Sequence, residues 1–478
     1  MAYRLAFRFL LAWVMLLGVL YSTLSIVRHN RFESGGFDLG IYDQAVWQYS
    51  RFQSPYNTIK ERFILGDHLT LTLPLLGALY WIWNDVRVLL VFQAFWLASS
   101  SIAVFLLARH RKFSPFVSFA VSFVYSLFYG VQYAVFFDFH PVIIGVGLLP
   151  WIGYLLETKR IRLLWIVVAL LLLTQENMGV ALAGLGLVYV FQKQYRNTAL
   201  FFIFAGFLSS FVAMKIVASF SPIGFEYAPV LPKSIVDFIT QLFDHPEKRK
   251  VWLYSFTWFS FLPLLSPGAV LAVVLDLSQY FTTGPALARM WSPYMHHRAI
   301  LTPFLVLGTL DGLTIIKKLM RKINLSKIPI GKIDKLILSG IAIILVLSAM
   351  VQQYVFHYPL NKLTKRAYWK EDAWMRDNRE LLRLVPTDAP VAAQQNLVPH
   401  LSHRKEIYLA WPKLHESWWL DFAGKPEYLV VDTRPNQWLT QILETNEHWE
   451  EAVGNMEKAG DIQLVQHVNS VRLYRILP

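Results

Sequence analysis

Acidic and imidazole side chains that could move a proton stand in a few short stretches of an otherwise apolar chain. One is Gly35-Gly36-Phe37-Asp38-Leu39-Gly40-Ile41-Tyr42-Asp43-Gln44, followed by Gly66-Asp67-His68. The others are Phe137-Asp138-Phe139-His140-Pro141, Thr174-Gln175-Glu176-Asn177 and His296-His297-Arg298. A carboxylate near a hydroxyl can act as a general base, and an adjacent imidazole can share its proton. Asp38, Asp138, His140 and Glu176 are the residues expected to do chemistry. Asp43, Lys60, Arg62, Asp67, His68, His296, His297 and Arg298 are expected to bind substrate, the cations by meeting an anionic group. Asp38, Asp138 and His140 could also hold a divalent ion such as Mg2+ or Mn2+, though ligands on separate loops leave no spacing signature.

Each residue also has a structural alternative. Asp38 follows two glycines and precedes a helix-like stretch, where a carboxylate caps free amides. Asp43 lies five residues further on, about 140° round a regular helix, so both cannot aim at one point along it. Asp67-His68 opens an apolar run, where a cap and an interfacial imidazole are ordinary. Asp138 and His140 could simply satisfy a tight turn. His296, His297 and Arg298 could contact lipid headgroups, and Asp276 inside an apolar run reads as an interhelical polar contact. Glu176 is hardest to explain structurally, because a carboxylate sunk into a bilayer is costly.

The elements that must position these groups are membrane helices. Of 478 residues, 55% are hydrophobic and only 16% charged, against about a quarter charged in soluble domains. The apolar residues come in blocks of span length, which excludes a soluble multidomain enzyme. The formal charge of +13 sits in short loops between these blocks, where Lys and Arg set topology. That distribution argues against a nucleic-acid partner. With no cysteine, disulfides, thiolate chemistry and cysteine metal sites are excluded. There is also no H-E-x-x-H, Walker glycine loop or nucleophile elbow.

Basic clusters at 109–112, 159–162, 193–196 and 317–335 mark cytoplasmic loops. The first run, Leu5 to Val27, is a retained span, with Arg4 and Arg8 on the cytoplasmic side. Residues 28–87 form a long first outer loop. Within it, Leu69 to Trp83 is too short to cross and is expected to be re-entrant or interfacial. The run Leu163 to Phe191, flanked by basic clusters, reads as a hairpin with Glu176 at its outer tip. Further spans are expected near 88–108, 115–133, 142–157, 198–217, 251–264, 269–283, 299–316 and 336–356, about eleven in all. Residues 1–356 thus form a polytopic α-helical membrane domain, with the N-terminus inside. Residues 357–478 alternate short strands with helical stretches and are expected to form a small extracytoplasmic α/β domain.

The first-loop segment, Gly66-Asp67-His68, Phe137-Asp138-Phe139-His140-Pro141 and Val398-Pro399-His400-Leu401-Ser402-His403-Arg404 resemble the membrane proteins grouped as domain of unknown function 2079. The resemblance covers nearly the whole chain. That family is similar in layout to the GT-C class of membrane glycosyltransferases. What this implies is a polyprenyl-phosphate sugar donor, a glycan, lipid or protein acceptor, and inverting transfer outside the cytoplasm. Asp38 matches the class's first-loop acid and Asp138 its second-loop acid. The first loop lacks the Asp-Glu or Asp-x-Asp pair of better-known members, and histidines stand beside the acids instead. By chemistry, Asp38 is the first choice for a base that takes the acceptor's proton, with Asp138 or His140 next. A transporter or flippase of lipid-linked substrates is the competing class, with Asp276 as its midplane charge, although no internal repeat is visible. A non-catalytic scaffold with a glycan- or protein-binding outer domain is the third.

Overall fold

The computed structural model describes residues 2–227, 230–322, 330–435, 437 and 444–477. In hydrocarbon every backbone amide and carbonyl must bond within its own segment, so the apolar blocks are helices. Helix α1 (Ala2–Asn30) leads into a π turn (Gly36–Gly40), α2 (Ile41–Ser50), the small hairpin β1 (Tyr56–Asn57) and β2 (Arg62–Phe63), and α3 (Leu73–Ile82). Next come α4 (Arg87–His110), α5 (Pro115–Ser126), α6 (Tyr129–Phe137), α7 (Val142–Glu157), α8 (Ile161–Leu172), α9 (Met178–Val190) and α10 (Arg196–Phe220). The bundle is completed by α11 (Ile235–Gln241), α12 (Pro246–Trp258), α13 (Pro267–Phe281), α14 (Leu301–Lys322) and α15 (Ile330–Val355).

Among the described residues, α1, α4, α10, α14 with its lead-in turn, and α15 are long and apolar enough to cross a bilayer. The pair α5 and α6, bent by 42°, makes a sixth span if taken as one. The expected count of eleven also includes the shorter α7, α8, α9, α12 and α13. A helix of 12 residues such as α8 rises about 18 Å, well short of the ~30 Å hydrocarbon core. Helices α8 and α9 meet at the turn carrying Glu176, so the hairpin has the short arms expected of it. Helix α3 has only 10 residues, about 15 Å, and does not cross alone.

After residue 356 follow α16 (Arg366–Trp369) and α17 (Ala373–Leu382), then β3 (Val391–Ala393), β4 (Ile407–Leu409), β5 (Trp411–Leu414), β6 (Trp418–Asp421) and β7 (Tyr428–Asp432). Helix α18 (Asn446–Ala459), β8 (Ile462–Val468) and β9 (Val471–Ile476) close the chain. One sheet has the order β4-β3-β7-β9-β8, with β3 parallel to β4 and β7, and β9 antiparallel to β7 and β8. Strands β5 and β6 pair as a separate antiparallel hairpin. The helical stretch expected at Gln437 to Thr445 lies mostly outside the described residues.

Because side chains alternate along a strand, this sheet joins two cores. Val391, Ala393 and Val430 face the large core shared with the helices. Ala392, Leu429 and Val431 face the opposite way, onto Trp449, Val453 and Met456 of α18. The sheet is thus packed against the helical part rather than tethered to it.

Candidate active site

The glycines around Asp38 explain its local fold. Gly35 and Gly36 carry no side chain to oppose close packing, and the chain turns through the π turn with Asp38 inside it. The residue preceding the turn is Gly35, and no side chain caps the turn, so Asp38 is not an N-cap. Its Oδ1 instead lies 2.9 Å from Nε2 of His140. His140 Nδ1 lies 3.3 Å from the Asp138 carbonyl oxygen, so both ring nitrogens face oxygen acceptors.

Asp138 terminates α6 and is locked in place. Arg28, near the end of α1, donates to its Oδ1 at 2.6 Å, and the Gly35 amide donates to its Oδ2 at 2.9 Å. Gln93 of α4 donates to its carbonyl at 3.1 Å. Burial raises the Asp138 carboxyl to about 6, with Asp38 adding to the rise and Arg28, Gly35 and His140 opposing it. The first loop, the α6–α7 loop and the end of α1 are therefore bound together through one carboxylate.

A column of imidazoles continues from His140. His296 stacks on it with ring centroids 3.6 Å apart, and His297 follows at 3.9 Å. Tyr280 of α13 lies 4.8 Å from His297, and its hydroxyl is 3.5 Å from Nδ2 of Asn177, next to Glu176. Arg298 points away. It is fully buried, lies over Tyr280 and Phe281, and donates to the carbonyls of Ser292 and Met290.

Glu176 forms a second centre. Its Oε1 is 2.7 Å from Nδ1 of His68, and the Leu69 amide donates to its Oε2 at 3.1 Å. Ser210 of α10 accepts no part of the carboxylate but donates to the Glu176 carbonyl at 2.6 Å. Burial alone would lower the His68 imidazole, but Glu176 and Asp67 outweigh it and raise it to about 9. His68 is therefore a cation at neutral pH. Tyr227 stacks on its ring at 4.6 Å and donates to Asp67. Lys60 pairs with Asp67 at 3.1 Å and with Glu226 at 3.6 Å, and Arg62 pairs with Glu226. Burial also opposes ionisation of Asp67, yet His68, Lys60 and Arg62 hold it below the usual carboxylate range.

Tyr42, on the first turn of α2, stands between the two centres. Burial pushes its hydroxyl well above the ordinary value, and Asp67, Tyr227, Asp38 and Glu176 all push it further. Three loops thus bring negative groups around one phenol, with the His140 ring 6.0 Å from the Tyr42 ring.

Asp43 belongs elsewhere. It is fully buried, accepts from Tyr80 and Ser402, and lies 3.0 Å from His403 Nε2. Sequence reasoning missed Arg28, whose signal was a basic residue at the outer end of an apolar run. It also missed Gln93, Tyr227 and Gln395, which reach the site through tertiary contacts and carry no local signature.

The profile of a family described as predicted membrane protein (DUF2079) matches residues 28–455. The chain belongs to the DUF2079 family. Compared with curated proteins, this DUF2079 chain matches none. Among solved structures it is similar to ArnT from Cupriavidus metallidurans in the apo state, with TM-score 0.54, 11% identity and 98% of each chain covered. It is also similar to ArnT from the same organism bound to undecaprenyl phosphate, with TM-score 0.50, 10% identity and 98% of each chain covered. At such identities the likeness is one of fold. The DUF2079 chain is a membrane protein with an ArnT-like fold.

The residues do not fit a divalent ion. Asp138, one of the three ligands expected, spends one oxygen on Arg28 and the other on Gly35. A hard cation needs several free oxygens converging on it. Among the described residues no three His, Asp or Glu side chains are grouped to hold a metal.

Proposed function

We propose that this protein is a membrane glycosyltransferase that moves a sugar from a polyprenyl-phosphate donor to an acceptor outside the cytoplasm. In this reading the N-terminus is cytoplasmic and residues 357–478 lie on the far side. The observation that carries it is the exposure of the acids. The Asp38 side chain is 30% exposed, whereas Asp138 and Glu176 are 2% and 7% exposed with both oxygens engaged. Asp38 has one oxygen on His140 and the other free to meet a substrate.

Asp38 acts as general base. It takes the proton of the acceptor hydroxyl, whose oxygen bonds to the anomeric carbon of the sugar. The bond from that carbon to the phosphate oxygen breaks, and its electron pair leaves with the polyprenyl phosphate. A single displacement inverts the anomeric centre. His140 orients Asp38, and Asp138 positions both through Gly35 and its own carbonyl. The departing phosphate needs positive charge. The cationic His68 and Lys60 supply it, while Arg62 is held by Glu226 and Arg298 is sealed in the core. His296 and His297 line the wall between the two centres. An apolar groove of about 500 Å³ between α12 and α15, lined by residues such as Leu253, Ile344, Val351 and Val355, would suit a lipid tail. The likeness to ArnT bound to undecaprenyl phosphate supports this choice of lipid.

The competing transporter reading has Asp276 of α13 in its favour, buried with its Oδ2 unpartnered. Incubating membranes with radiolabelled polyprenyl-phosphate sugars separates the two. A transferase yields a glycosylated acceptor, and Asp38→Asn abolishes it while leaving membrane insertion intact. Full transfer by that variant rejects the assignment of the base.

A further inference from the structure

The motif running from Val398 to Arg404 lies in the last quarter of the chain, yet it is seated on the first loop. The Gly36 amide donates to the Gln395 carbonyl at 2.8 Å. Thr58, between β1 and β2, donates to the Ile407 carbonyl at 2.6 Å, and Gln44 of α2 donates to that of Lys405 at 3.1 Å. Asp43, one turn after Asp38, is held by Ser402 and His403.

Packing at the π turn is closer still. A Cβ on Gly36 would lie 3.0 Å from the Val398 Cβ and 3.1 Å from Gln395 Oε1. A Cβ on Gly40 would lie 2.9 Å from Val398 Cγ1. Val398 is fully buried and cannot move aside. Three glycines in six residues would leave this turn many conformations by itself. Its own bonds are weak, with Asp38 N–H to the Gly35 carbonyl at 3.4 Å and Gly40 N–H to the same oxygen at 3.2 Å. Contacts from outside therefore select the conformation that presents Asp38. Asp138 supplies them from the helical bundle, and the 395–407 segment supplies them from the opposite side.

We propose that residues 395–407 are a clasp that positions the base, with Gln395 and Val398 as positioning residues, so that the strand-containing region is part of the active site. This rests on the reading of Asp38 above. A displacement of about 1 Å at a catalytic group costs on the order of 100-fold in rate.

Two experiments on the full-length chain test it. Gly40→Ala should lower kcat for sugar transfer about 10- to 100-fold while leaving KM for the lipid donor and the yield of folded protein unchanged. Adding Val398→Ala, which removes the opposing methyl groups, should restore most of the rate. Wild-type kcat in Gly40→Ala, or a double variant no faster than the single one, overturns the proposal. The second experiment needs no activity. The chain has no cysteine, so Gly36→Cys with Val398→Cys, whose Cβ atoms would lie 3.0 Å apart, gives one clean pair. Mild oxidation in membranes should link residues 36 and 398, seen as a mobility shift reversed by reductant. No disulfide overturns the clasp. If the disulfide forms but Asp38→Asn remains active, the clasp stands and the assignment of the base falls.

Discussion

The pair Arg28 and Asp138 offers the sharpest energetic test. Its side chains are 4% and 2% exposed and meet at 2.6 Å. Asp138→Asn keeps an oxygen for the Gly35 amide but removes the charge, leaving Arg28 buried without its partner. Removing one member of a buried pair costs about 3–5 kcal/mol, or roughly 150- to 4000-fold in the folded-to-unfolded ratio. Arg28→Met alone should be similarly damaging, since it strands the Asp138 carboxylate. The double variant should recover most of the loss, because methionine can pack on Phe136 and Phe137, the rings now beside the guanidinium. Unfolding in detergent by added SDS, followed by fluorescence of the 17 tryptophans, gives the four corners of the cycle. A coupling of at least about 2 kcal/mol is expected for residues in direct contact. Single-variant losses under about 1 kcal/mol, or strictly additive losses, would refute the reasoning that this pair locks the first loop to the bundle.

Other predictions follow from the same structure. His68 is raised to about 9 in the folded state, above an ordinary value near 6.5. Its contribution is therefore complete below about pH 6.5 and is lost as pH rises through 9, worth on the order of 3 kcal/mol. Melting temperature should fall across that window, and His68→Gln should flatten the fall; an unchanged slope would remove the charged His68–Glu176 pair from the account. At the far end of the bundle, Arg111 joins Glu157 to Asp311, which Ser266 and Tyr189 also bind. Arg111→Met leaves two buried carboxylates unpaired and should cost about 3 kcal/mol or more in the same SDS titration. Gly179 and Gly206 let α9 and α10 touch backbone to backbone. Gly206→Val should push the helices apart and cut the yield of monodisperse protein in detergent, whereas Val at the open Gly340 of α15 should not.

The helices were legible in the sequence because hydrocarbon leaves a backbone no alternative, and a run such as Arg87–His110 announces itself by length and composition. The hairpin tip at Glu176 was legible for a related reason, since basic clusters on both flanks constrain where its arms can turn. The pairing of acids was not legible. Asp38 follows two glycines, which suits a capping residue, and only the distant His140 makes its role different. Asp43 looked like a second member of the site, but Ser402 and His403, some 360 positions away, draw it into the join between loop and sheet. The expected metal ligands failed to assemble because Arg28, unnoticed at the end of its span, occupies Asp138. Span counting was least secure where helices are short, since α8 and α9 carry too few residues to cross alone.

The central claim is that Asp38 drives displacement of a sugar from a polyprenyl phosphate. Its most direct test is mass spectrometry of a defined donor incubated with purified protein in lipid vesicles and an acceptor extract. The wild-type chain should consume the donor and release polyprenyl phosphate in equal amounts, with the sugar recovered on the acceptor in the opposite anomeric configuration. Asp38→Asn should leave the donor intact. Donor that stays intact with the folded wild-type chain across the range of available lipid-linked sugars, or is consumed equally by Asp38→Asn, would contradict the claim.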